Sequence, residues 1–447
     1  MGLIATPHIA ASRAAATCTM GDANHDNHIT SDDYTTWRNA YNQGVRATAA
    51  GSTCIIGDTN QDGHVKLNDF VAWRSAYNQI NTASAQGTTD SVKSYGRLFG
   101  FSSSSLEQMD DMKKWGAKAL RIEFTWYKHE PNPPVKGKHT YVHSQDNLIK
   151  EANNRGFKVL GMPDYTPKWV ADPGCFAKYG TMCGPKEEFA ADFGEYVGML
   201  VERFDADGIN DAPGSPRIDA WEIWNEPNLA DFWRPQPDAR IYVKYLKAAY
   251  VAAKAADADT IIVTGGLCCY MLGTNAPLNY LKSMYAAGAK GNFDALGIHP
   301  YTYPAMPSQD NRNNVWQQMS KAYAQNGQPD SIRGIMEKNG DGAKQIWQTE
   351  MGAPTGGDTN GDGKSKCDNG DGATTGDEDR CVTEEQQKTM LVEAYTLWKT
   401  YPWAGPFFWY SHRDGATGKL NTELNYGVVR SDNSPKPAAL AIPTITQ

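Results

Sequence analysis

The sequence lacks any apolar run approaching the ~20 residues that span a bilayer, so no membrane span is expected. It lacks an excess of positive charge. Against 51 Asp and Glu there are 43 Lys and Arg, a net charge of −8, which argues against nucleic acid as a partner. Its 8 Cys form no CxxC pair and its 9 His no ligand-rich tract, which excludes an ordinary zinc centre. Residues 3–16 are too short and too mixed to be expected to serve as a secretory leader. The start is therefore expected to be a mature or engineered one, not evidence of a cytosolic home.

What is present is rich in aromatics, with 13 Trp and 22 Tyr. Such rings suit the apolar faces of sugars, although most of them should be core. Cys175 and Cys183, and again Cys367 and Cys381, flank short Gly-rich loops where a disulfide would limit the entropy of the unfolded chain. Cys18 and Cys54 sit at equivalent repeat positions and are candidates to pair. The adjacent Cys268 and Cys269 leave three states open: free, bonded to each other, or partnered elsewhere. This even count leans toward an oxidising, extracellular compartment.

The first part of the chain is duplicated. Gly21-Asp22-Ala23-Asn24-His25-Asp26-Asn27-His28-Ile29 returns as Gly57-Asp58-Thr59-Asn60-Gln61-Asp62-Gly63-His64-Val65, and Trp37, Arg38, Tyr41 and Asn42 return as Trp73, Arg74, Tyr77 and Asn78. Each copy places oxygen side chains at the spacing of a calcium loop: Asp22, Asn24, Asp26 and Asp33, then Asp58, Asn60, Asp62 and Asp69. The carbonyls of His28 and His64 fill the seventh position. Gly63 stands where the loop needs a positive φ, and Asn27 replaces it in the first copy. Asp closes each loop where an ordinary EF-hand has Glu. Residues 18–80 resemble a type I dockerin, a small all-α paired calcium-loop module. The resemblance implies structural Ca2+ and a cohesin-type protein partner. The positions that select a cohesin differ between the copies, Ser31-Asp32 against Leu67-Asn68, and a calcium-stapled domain with no external partner stays open. Residues 81–93 are small and polar and read as a linker.

From residue 94 to 447, strand-like apolar runs alternate with helical patterns. Strands are expected at 97–101, 119–124, 158–162, 218–224, 260–265, 293–299, 345–350 and 406–410. Helices are expected at 106–115, 145–154, 187–204, 239–256, 278–287, 314–324, 384–399 and 437–441. Eight such alternations give an α/β chain folded as a (β/α)8 barrel, whose fully apolar strands suit a parallel sheet and whose functional face lies at the strand C-termini.

Two carboxylates fall on that face. Trp221-Glu222-Ile223-Trp224-Asn225-Glu226-Pro227 ends the fourth strand, and Ile346-Trp347-Gln348-Thr349-Glu350-Met351-Gly352 ends the seventh. A pair of carboxyl groups flanking one glycosidic bond is what glycoside hydrolysis requires. With Leu120-Arg121-Ile122-Glu123, Gly297-Ile298-His299-Pro300-Tyr301 and Tyr426-Gly427-Val428-Val429-Arg430, these stretches resemble clan A of the retaining glycoside hydrolases, and within it glycoside hydrolase family 39. The resemblance implies Glu226 as acid and base and Glu350 as nucleophile. It implies substrate contacts from Asn225, Arg121, His299 and Tyr301, with Trp409 as a platform under the sugar. Trp126, Trp169 and Trp233 are candidates for further subsites, with packing equally open to each.

A third acidic loop follows the nucleophile. Asp358, Asn360 and Asp362, with the Lys364 carbonyl, again fit calcium spacing; a mobile acidic loop without metal is the alternative. The expectation is a secreted enzyme cleaving β-linked bonds in a poly- or oligosaccharide, with no cofactor for catalysis. A non-catalytic glycan-binding protein, a cohesin-docked assembly protein and a transglycosylase remain as rivals.

Overall fold

The computed structural model describes residues 95–102, 105–269, 273–309, 315–320, 330–356, 381–417 and 421–446. These belong to one unit of the chain, Gly87–Gln447. Both copies of the N-terminal calcium-loop pattern, and the acidic loop with Asp358, Asn360, Asp362 and Lys364, lie outside the described residues.

Eight parallel strands form the frame: β1 (Phe99–Ser102), β2 (Ala119–Thr125), β3 (Lys158–Asp164), β4 (Ala220–Ile223), β5 (Ile261–Thr264), β6 (Ala295–His299), β7 (Gln345–Met351) and β8 (Ala404–Trp409). Each pairs with the next, and β8 returns to β1 through Phe99 opposite Phe407, so the sheet closes. A two-residue strand, Leu267–Cys268, continues the β5 edge alongside β6 at Ile298 and His299. The helices that follow β1 to β8 are α1 (Met109–Lys114), α2 (Asp146–Asn154), α3 (Ala190–Arg203), α4 (Ala239–Ala256), α5 (Pro277–Ala286), α6 (Ile332–Lys338), α7 (Glu384–Thr400) and α8 (Pro437–Ile445). No described helix is long and apolar enough to cross a membrane.

The expected strands and helices are all found, with ends displaced by a few residues. The helix expected at 314–324 is observed over Val315–Met319 and ends before the bend at Ser320; residues 314 and 321–324 lie outside the described residues. The first and third helices begin as 3-10 turns, Leu106–Gln108 and Glu187–Phe189. Helix α7 starts with a reciprocal cap: Thr383 Oγ1 accepts from the Gln386 amide, and Gln386 Oε1 accepts from the Thr383 amide.

Side chains alternate across a strand, so every second residue points into the barrel. Ala119, Leu160, Ala220, Ile261, Val263, Ala295, Trp347 and Phe408 gather in one small apolar cluster above Tyr95. The outward-facing residues instead pack against the helices in a much larger core that includes Trp221, Phe193, Tyr196 and Leu246. Two residues further along the inward faces come Arg121, Met162, Glu222, Gly297 and Thr349. The strands are therefore not apolar throughout. Their N-terminal halves plug the barrel, and their C-terminal halves carry charge into it.

Candidate active site

Arg121 stands at the centre of this charged layer, 4% exposed. Its guanidinium donates to Glu222 Oε2 at 2.5 Å, to Glu350 Oε1 at 2.5 Å and to Asn225 Oδ1 at 2.9 Å. Burial opposes the charge on Arg121, but the two carboxylates outweigh it and keep the group cationic. Tyr301 donates to the other Glu350 oxygen at 2.9 Å, and Ser102 lies 3.4 Å from Oε1. Both Glu350 oxygens thus accept hydrogen bonds, one of them from a guanidinium, which fixes the side chain in place as a candidate nucleophile.

Glu226 is held differently. The turn after β4 places Trp224 at φ 73° and Glu226 at φ 40°, conformations that cost about 1–3 kcal/mol each for residues other than glycine. They are fixed by bonds from the Trp224 amide to Pro163 O at 3.1 Å, from Trp224 Nε1 to Phe232 O at 3.1 Å and from the Leu229 amide to Glu226 O at 2.9 Å. Glu226 Oε1 lies 2.7 Å from His299 Nδ1, and His299 Nε2 lies 3.0 Å from Thr349 Oγ1. Thr349 donates onward to Glu222 Oε1 at 2.9 Å, which also accepts from the Gly266 amide at 2.8 Å. His299 needs the bare backbone of Gly266, because a Cβ there would meet its ring at 2.1 Å.

These surroundings separate the carboxyl groups electrostatically. Burial raises the pKa of Glu226 and the nearby charge on Glu350 raises it further, while His299 pulls the other way and is outweighed. Burial likewise opposes ionisation of Glu222, but Arg121 and His299 win and hold it down to about 2. Burial disfavours charge on His299, yet Glu350, Glu222 and Glu226 lift it to about 9. His299 is then protonated on both nitrogens at neutral pH, donating to Glu226 and to Thr349. Ligating atoms of Glu226, His299 and Glu350 all lie within 4.8 Å of one another.

The two glutamates open on a cavity of about 760 Å3. One side is tyrosine: Tyr301, Tyr303, Tyr410 and Tyr426 line it with Glu423, and the Tyr303 and Tyr426 hydroxyls meet at 2.6 Å. Arg121 and Glu123 of β2 line it too, with Gln145 and Leu148 from the start of α2. Leu229, Phe232 and the Cys268–Cys269 disulfide complete the wall beside Glu226. Asn225, Arg121, Glu226, Tyr301 and Glu350 come together on this cavity, with His299 directly behind them.

The four expected tryptophans do not line it. Trp409 is fully buried in the core, and the next residue, Tyr410, faces the cavity in its place. Strand alternation explains the difference, since Phe408 points into the barrel, Trp409 outward to the helices and Tyr410 inward again. Trp126 packs against Trp169, Phe193 and Tyr196 and donates to Glu130 at 2.7 Å. Trp169 lies between Trp126 and Phe189, and Trp233 between Trp224, Tyr242 and Tyr245. Sequence reading did not single out Glu222, Thr349, Tyr303, Tyr410, Glu423 or Tyr426. Glu222 and Thr349 were findable, because each sits at an inward strand position where an apolar residue was expected.

Cys175 and Cys183 form the expected loop disulfide, and Cys268 is bonded to Cys269. Among the described residues outside the cavity, Asp205, Asp207 and Asp211 bring three carboxylate oxygens within 4.8 Å after α3; nothing further marks that loop as an ion site.

The model of the Cellulase family (glycosyl hydrolase family 5) matches residues 76–353, more than half of the chain. No curated protein matches. Among solved structures, a family 39 glycoside hydrolase from the gut symbiont Bacteroides cellulosilyticus WH2 is 20% identical with a TM-score of 0.56. It is matched over 80% of this chain, which spans 65% of that protein's length. A glucosidase from Croceicoccus marinus is 12% identical with a TM-score of 0.52, covering 79% of this chain and 68% of the other. A family 5 glycoside hydrolase from Bifidobacterium longum subsp. longum, solved with Manβ1-4GlcNAc, is 12% identical with a TM-score of 0.51, over 78% of each chain. At these identities the likeness is one of fold. The family model and the neighbours agree on clan A of the glycoside hydrolases, while the matching model is that of family 5 where the sequence resemblance pointed to family 39.

Proposed function

We propose that this chain, which belongs to the Cellulase family (glycosyl hydrolase family 5), hydrolyses β-linked pentose or hexose glycans outside the cell by double displacement, with retention of anomeric configuration. Glu350 attacks the anomeric carbon and Glu226 protonates the leaving oxygen. Water, deprotonated by Glu226, then releases the sugar from Glu350. The observation that carries this reading is the opposed setting of the two glutamates. Glu350 accepts from Arg121 and Tyr301 on its two oxygens; Glu226 is buried with its pKa raised. Their approach within 4.8 Å supports retention, since retaining pairs stand about 5–5.5 Å apart and inverting pairs about 6.5–9.5 Å apart. Asn225, anchored by Arg121, is placed to bond the sugar 2-hydroxyl. The tyrosine side of the cavity suits the sugar under attack.

The N-terminal repeat is proposed as a calcium-loaded module that tethers the enzyme to a cohesin-type partner, and the loop at 358–364 as a further calcium site. The two cavity and loop disulfides support an oxidising, extracellular setting. Calorimetric titration with Ca2+ tests the metal reading: loss of binding in Asp58→Ala with Asp62→Ala supports it, and unchanged binding sinks the assignment.

The catalytic reading is tested with a panel of plant and microbial glycans, comparing wild type with Glu350→Ala and Glu226→Ala. Azide should rescue both variants on an aryl glycoside, giving an α-glycosyl azide with Glu350→Ala and a β-glycosyl azide with Glu226→Ala. The opposite pairing would exchange the two roles. No turnover by wild type on any glycan would move weight to a glycan-binding protein.

A further inference from the structure

We propose that the Cys268–Cys269 disulfide is the surface against which the leaving-group sugar packs, a specificity element on the side of the cavity beyond Glu226. The proposal rests on the catalytic reading above.

Glu226 belongs to two clusters. On one side its carboxyl group meets His299 and Glu350; on the other, one of its oxygens and the Sγ atoms of Cys268 and Cys269 all lie within 4.8 Å of one another. Glu350 is absent from the second cluster. A sugar attacked by Glu350 occupies the first side, and the oxygen that Glu226 protonates marks the bond being broken. Whatever leaves with that oxygen must extend past Glu226, where the wall is the disulfide with Leu229 and Phe232. Cys268 is 1% exposed, so the part of the pair that a sugar can meet is the half-buried Cys269; bonded to its neighbour, its sulfur offers no hydrogen-bond donor and a soft, polarisable surface, which suits the C–H face of a pyranose ring.

The surface is also fixed before any ligand arrives. Asn228, fully buried, donates to Cys268 O at 2.8 Å and accepts from the Cys268 amide at 3.1 Å. Cys269 adopts φ 68°, and the bond between the neighbours removes both side-chain rotors. A wall with no rotamer freedom to lose binds at lower entropic cost than a flexible one.

Two measurements test this. The first needs no variant and no turnover. The wild-type protein, with its disulfides intact, is exposed to limiting tris(2-carboxyethyl)phosphine, and the rate at which each disulfide opens is read by alkylation and mass spectrometry, with and without cellobiose, xylobiose or mannobiose. At least one disaccharide should slow opening of the Cys268–Cys269 bond severalfold and leave opening of the Cys175–Cys183 bond unchanged as the internal control. Equal rates with all three would overturn the proposal. The second compares wild type with Cys268→Ser/Cys269→Ser on an oligosaccharide and on an aryl glycoside carrying the same glycone. The variant should lose about tenfold more kcat/KM on the oligosaccharide, equivalent to about 1.4 kcal/mol. Equal losses on both substrates, with a lowered Tm, would reduce the disulfide to a structural brace. Inactivity of wild type on both substrates would count against the catalytic reading alone, and the disulfide-opening result would then decide this one.

Discussion

Replacing Glu222 by Gln removes a charge that never touches substrate yet should cost the fold heavily. Glu222 is fully buried, and its oxygens accept from Arg121, Thr349 and the Gly266 amide. Arg121 and His299 hold its pKa at about 2, against 4.5 for an ordinary Glu. At 1.36 kcal/mol per pH unit, this is about 3 kcal/mol of stability at neutral pH. Breaking a buried pair from one side costs about 3–5 kcal/mol by independent measurements, which agrees. The folded pKa is depressed, so this stability is fully present above the unfolded pKa near 4.5 and is lost as the pH falls toward 2. The assay is urea unfolding followed by Trp fluorescence, for wild type and Glu222→Gln, from pH 7 to pH 3. The gap should be about 3 kcal/mol at pH 7 and shrink to about 1 kcal/mol at pH 3. A gap that keeps its size across that range would refute the electrostatic argument and leave only lost packing or hydrogen bonding.

Other expectations concern the reaction and the rim. Because the raised pKa of Glu226 sets the form that donates, kcat/KM should fall as pH rises through a value above the ordinary carboxylate range. In His299→Gln, which removes the cation opposing that rise, the basic limb of the profile should move to higher pH; an unmoved limb would disconnect His299 from Glu226. Tyr301→Phe deletes one donor to the charged Glu350, worth about 1.5–3 kcal/mol, so kcat should drop roughly 10- to 150-fold with little change in Tm. Glu226→Gln should retain more activity on a 2,4-dinitrophenyl glycoside, whose leaving group needs no proton, than on an oligosaccharide; equal losses on both would remove Glu226 from the acid role. Away from the site, Lys436 is fully buried against Asp414 at 2.9 Å and Thr355 at 2.7 Å, so Lys436→Met should cost about 3–5 kcal/mol in unfolding experiments.

Sequence and structure divide the explanation unevenly. The alternation of apolar strands with helical stretches was enough to give the closed barrel, because each strand is buried on both faces and each helix must cover one, which leaves little choice of architecture. It also put Glu226 and Glu350 at strand ends, since Asn-Glu-Pro and Thr-Glu directly follow apolar runs. What it did not decide was which way a side chain points. Trp409 and Tyr410 are adjacent aromatics at one strand end, and a shift of one residue turns one to the core and the other to the cavity. Glu222 and Thr349 looked like interruptions of apolar strands until the barrel brought them together between Arg121 and His299. The bond between Cys268 and Cys269 was one of three open states, and its place beside Glu226 could not be read at all. Local pattern determines which elements form, because burial acts on each segment separately. The meeting of β2, β4, β6 and β7 around one arginine is a property of closure, and only the tertiary structure could decide it.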